Sequence, residues 1–123
     1  MELLYKTEKL RKQCTEMSAA KKLFNGDIQL SRSLLARINA LDNSEVLKDV
    51  IVQPQYRFHK LIKTGKRNLE GYFAIDVKTR KEPWRIILQP LDDNKEPFHP
   101  CDIDKIARYV RIVEITEVSN HYE

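Results

Sequence analysis

No apolar run in this chain approaches the roughly 20 residues that a membrane-crossing helix needs. The opening residues, Met1-Glu2-Leu3-Leu4-Tyr5-Lys6, have no basic stretch ahead of an apolar one, so no secretory leader is expected. Cysteine is scarce: Cys14 and Cys101 are the only two. Two lone thiols in 123 residues argue against a disulfide scaffold and for a reducing compartment, so the expected location is cytoplasmic. There are no repeats, no low-complexity tracts and no long Gly/Ser or Pro-rich linker, which leaves one domain over residues 1–123. Several catalytic signatures are missing as well. The chain has no glycine-rich phosphate loop, no paired-carboxylate signature, no Gly-x-Ser-x-Gly elbow and no two-metal carboxylate cluster. Chemistry here would rest on general acids, bases and cations, with no metal and no cofactor expected.

What is present is charge, unevenly spread. Residues 56–89 carry nine Lys/Arg against three Asp/Glu, whereas residues 90–123 carry four against eight. The basic stretch fits an electrostatic footprint for a phosphate backbone, and it fits equally an ordinary ionic surface.

The N-terminal half reads as helical. Leu3-Leu4-Tyr5 is a short first strand. Thr7 caps a helix whose face is Leu10, Cys14, Met17 and Phe24, and Asn25-Gly26 stops it. Asp27 caps a second helix with the stripe Leu30, Leu34, Ile38 and Leu41, so the two form a helical hairpin. Val46 to Asp49 adds a helical turn. After Pro54 the period becomes two, with strands at Tyr56–Ile62, Leu69–Val77 and Trp84–Gln89. Pro90–Pro100 is loop, Ile103–Ala107 a short helix, and Tyr109–Val118 a last strand. The expected fold is α+β: an N-terminal helical hairpin packed on a mostly antiparallel sheet of four to five strands.

Three histidines are available. His59 sits in a strand in the most basic part of the chain, where neighbouring cations favour the neutral, proton-accepting ring. His99 lies in Pro97-Phe98-His99-Pro100-Cys101, and one His with one Cys falls short of a zinc site, so it reads as loop structure. His121 follows the last strand, which can hold it against the sheet. Metal-free RNA cleavage suits this set of residues. The ribose 2′-OH is the nucleophile, and the protein has to add a base, an acid and cations around the phosphate.

Tyr56-Arg57-Phe58-His59-Lys60-Leu61, a basic turn, Glu70-Gly71-Tyr72-Phe73-Ala74-Ile75 and Trp84-Arg85-Ile86 follow one another in an order that resembles the HigB toxins of the RelE type. The succession of two helices and a sheet is similar too. The resemblance covers about residues 27–89 and the last strand, 109–122. It implies a RelE-like fold, cleavage of mRNA on the ribosome and neutralisation by a cognate antitoxin, a small helix-turn-helix DNA-binding protein of the HigA kind. Residue by residue, it gives His59 the place of the family's first catalytic histidine and Arg85 that of its strand arginine. Where the family often ends in Asp-Tyr-His, this chain reads Asn120-His121-Tyr122. The turn is longer than the family's, and the Pro90–Pro100 loop looks like an insertion.

The resulting expectation is a toxin that cleaves mRNA on the ribosome, without contact to a membrane. His59 or His121 would be the base, and Tyr122 or the other histidine the acid. Arg85, with Lys60, would stabilise the phosphate. Arg57, Lys63, Lys66, Arg67, Arg80 and Asn120 would hold the RNA. Two rivals are a ParE-like toxin that poisons gyrase without cleaving nucleic acid and a non-catalytic RNA- or protein-binding module.

Overall fold

The computed structural model describes residues 1–61 and 69–121. The expected turn at 63–66, with Lys63, Lys66 and Arg67, and also Tyr122, lie outside the described residues. The architecture is α+β, with a five-stranded mixed sheet and, among the described residues, five α-helices.

β1 (Glu2–Tyr5) leads into α1 (Glu8–Thr15), capped by the Thr7 side chain, which accepts from the Leu10 N–H at 3.1 Å. The expected first helix is two helices. Glu16 is extended, and α2 (Met17–Leu23) starts after it. Thr15 ends α1 with its hydroxyl bonded back to the Arg11 carbonyl at 2.7 Å, a bond that competes with straight helix continuation. Asn25 and Gly26 both have positive φ and turn the chain into α3 (Ile28–Asn43), where Asp27 accepts from the Leu30 N–H. Three N-terminal helices therefore replace the simple hairpin. The α3 stripe is as expected, and Leu30, Leu34, Ile38 and Leu41 are all buried. α4 (Leu47–Ile51) sets Leu47 and Val50 into the same core, and its first N–H groups bond to the carbonyls of Val110 and Ala107.

The sheet order is β1-β5-β4-β3-β2, with β2 (His59–Lys60), β3 (Phe73–Asp76), β4 (Arg85–Leu91) and β5 (Ile112–Ser119). Three pairings are antiparallel, and β1 runs parallel to β5. A parallel pair needs a long crossover, and nearly the whole chain, helices included, lies between these two strands.

The strand expected over Tyr56–Ile62 shrinks to two residues. Pro54 opens a 3-10 turn over Pro54–Tyr56, and Arg57 ends it in the left-handed conformation (φ 47°, ψ 53°). Likewise Gly71, at φ 84°, confines β3 to Phe73–Asp76. β4 runs through Pro90, beyond Leu88, the last of its residues paired with β3, so the missing N–H breaks no pairing with that strand. α5 (Ile103–Ile106) is a single helical turn that leads toward β5.

The sheet has two unlike faces. Phe73, Ile75, Val77, Ile86, Leu88, Val113, Ile115 and Val118 join the helices in the main core. Alternation sends Ala74 and Asp76 of β3, Arg85 and Ile87 of β4, and Glu117 and Ser119 of β5 to the other face. There Leu61, Leu69, Ala74 and Ile87 form a smaller cluster with Tyr72 packed against it, and no helical residue takes part among the described residues. None of the described helices is long and apolar enough to cross a membrane.

Candidate functional site

The second face carries the polar residues. Asp76, Arg85 and Ser119 are direct partners across β3, β4 and β5, so one row crosses three strands. Asp76 is 1% exposed and Arg85 5%. A carboxylate this deep is tolerable only if paired and hydrogen-bonded, and this one is. Arg57 Nε reaches Oδ1 at 3.2 Å and Oδ2 at 3.0 Å, while its Nη2 reaches Oδ1 at 3.0 Å. Arg85 Nε stands 3.2 Å from Oδ1. A third arginine, Arg37 of α3, donates to the carbonyls of Asp76 (3.0 Å) and Lys78 (3.1 Å) and stacks 4.6 Å over the Tyr56 ring.

Arg85 is also bound on its far side. Its Nη1 donates to the carbonyls of Glu82 and Trp84, and its Nη2 to that of Arg80 at 2.9 Å. Burial pushes its guanidinium down from the ordinary value, and Asp76 opposes that shift. Arg85 thus shapes the turn that precedes β4. That turn brings Arg80 and Lys81 to the rim of an open cleft of about 560 Å³, lined by Arg57, Arg80, Lys81, Pro83, Arg85, Asn120 and His121. His121 follows β5 and is tied by its N–H to Ser119 Oγ at 3.1 Å. Four cations, an amide and an imidazole sharing one cleft can hold an anion.

Of the expected site residues, the cleft gathers Arg57, Arg80, Arg85, Asn120 and His121. His59 is not among its lining residues. It pairs with Ala74, and its Nδ1 lies 2.7 Å from the Arg57 carbonyl. Its Nε2 is buried and has no hydrogen-bond partner among the described residues. An unsatisfied buried acceptor costs about 1–3 kcal/mol, so its retention calls for a reason. Lys60 is exposed and pairs with Phe73, so alternation separates it from His59 and from the Asp76–Arg85 row. His99 lies by a smaller pocket of about 130 Å³ that Glu70, Gln89, Phe98 and Cys101 also line.

Sequence reasoning missed Asp76, Arg37 and Lys81. Asp76 carried a signal: it is the only acid between Glu70 and Glu82 in a basic stretch, and it sits in a strand. Among the described residues no three His, Cys, Asp or Glu side chains gather to hold a metal ion. No family model, no curated protein and no solved structure matches the chain.

Proposed function

We propose that the chain is the toxin of a toxin–antitoxin pair, a metal-independent, ribosome-dependent mRNA endonuclease of the RelE/HigB kind. The observation that supports this reading best is the cleft, where Arg57, Arg80, Lys81 and Arg85 meet Asn120 and His121. A scissile phosphate there would face Arg80 and Lys81 at the rim, with the Arg57 and Arg85 charges behind. Cations held in place for the crowded phosphate lower the barrier without reorganising during the reaction. His121 would exchange a proton at one oxygen, and His59 would serve the 2′-OH only once RNA binding uncovers its Nε2. The ribosome would supply the in-line geometry of the strand, since positioning alone is worth several kcal/mol. The partners in this reading are mRNA, the ribosome and an antitoxin of the HigA kind, all in the cytoplasm.

Expression of the chain alone should arrest growth and stop translation, and co-expression of the antitoxin should restore both. Normal growth at high levels of folded protein would remove the toxin reading.

A second reading has its own support. His59 Nε2 is covered and lies outside the cleft wall, which favours a module that binds nucleic acid without cutting it. Such a module would bind RNA in a salt-dependent way and leave it intact on ribosomes.

A further inference from the structure

Among the described residues three non-glycine positions have positive φ: Asn25, Arg57 and Lys95. Arg57 stands two residues before His59, at the entry to β2. A non-glycine residue holds this conformation only when its surroundings determine it. Here the determinant is visible. The Arg57 side chain is bound bidentately to the Asp76 carboxylate, which Arg85 holds from the other side. In that position the Arg57 carbonyl meets His59 Nδ1 at 2.7 Å. A carbonyl oxygen can only accept, so Nδ1 carries the proton, and in the neutral ring Nε2 has none.

We infer that Asp76 is a positioning residue for His59: acting through Arg57, it fixes the ring proton on Nδ1 and keeps Nε2 as the proton-accepting nitrogen. Free histidine slightly prefers the opposite tautomer, so the arrangement imposes a choice. The use made of Nε2 rests on the proposed RNA cleavage; the tautomer does not. In that reaction RNA binding uncovers Nε2, the 2′-OH proton passes to it, and the freed oxygen bonds to phosphorus. The bond from phosphorus to the 5′-oxygen breaks, and the leaving oxygen takes a proton from the acid. The ring becomes an imidazolium, with Nδ1–H still on the Arg57 carbonyl.

The test is long-range ¹H–¹⁵N NMR of the histidine rings in the full chain at about pH 8.5, well above the ordinary histidine range. In the unaltered protein Nδ1 of His59 should be pyrrole-like and Nε2 pyridine-like. Asp76→Ala and Arg57→Ala should both shift Nε2 toward the pyrrole-like position as the second tautomer fills in. Arg57→Ala leaves Asp76 paired with Arg85 and keeps a Cβ that disfavours positive φ, so it decides the matter if Asp76→Ala does not fold. A proton on Nε2 in the unaltered protein overturns the inference, and so does an unchanged spectrum in a folded variant. Spectra as expected from a protein that cleaves no RNA would sink the proposed function and leave the positioning intact.

Discussion

Arg85 Nε lies 3.2 Å from Asp76 Oδ1, and the two residues face each other directly across β4 and β3. Both are buried, so each depends on the other for its charge balance. Removing one partner of such a pair leaves an uncompensated buried charge. Asp76→Ala should therefore lower stability by about 3–5 kcal/mol. Asp76→Asn, which keeps the shape and hydrogen-bonding oxygen, should cost less. Urea unfolding of the three proteins checks this, and equal midpoints would contradict it.

Cations of the cleft should separate into two kinds. Arg85→Ala removes donors from three backbone carbonyls as well as from Asp76, so its main effect should be lost stability. Arg80→Ala and Lys81→Ala change exposed side chains and should leave the unfolding midpoint nearly unchanged. Each should instead weaken RNA binding and reduce its salt slope by about 0.7. Binding isotherms over a range of salt, beside unfolding curves, tell the two kinds apart.

Much of the fold was legible because it follows local rules. The Leu30, Leu34, Ile38 and Leu41 stripe and the caps at Thr7 and Asp27 stand where the pattern puts them. Non-local pairing was harder to read. Nothing near Glu2–Tyr5 tells that it lies parallel to Ile112–Ser119, at the far end of the chain. The left-handed Arg57 is set by an ion pair to Asp76 on β3, not by residue type. For the same reason the basic stretch pointed to Arg57, Arg80 and Arg85 as a group, yet not to Asp76, whose meaning appears only once three arginines converge on it.

Alkaline pH should weaken the fold through Cys14 and Tyr5. Burial pushes the Cys14 thiol from 9.0 up to about 12. Burial, with Cys14 and Asp42 nearby, pushes the Tyr5 phenol from 10.0 up to about 12. Both folded values lie above the unfolded ones. Their stabilising contribution is thus complete below about pH 9 and is lost as the pH rises toward 12. Urea midpoints taken from about pH 8 to about pH 11 should fall, and Cys14→Ala and Tyr5→Phe should each flatten the decline. The same slope in both variants would contradict the assignment.

The central proposal is that the cleft with His121, together with His59 outside its wall, cleaves RNA through the ribose 2′-OH. The most direct measurement gives the folded protein ribosomes programmed with one mRNA, in two forms that differ only by a 2′-deoxyribose at the cleaved position. The account predicts cleavage of the ordinary strand, leaving a 2′,3′-cyclic phosphate, and none of the deoxy strand. Cleavage of both would contradict the mechanism, and cleavage of neither would contradict the function itself.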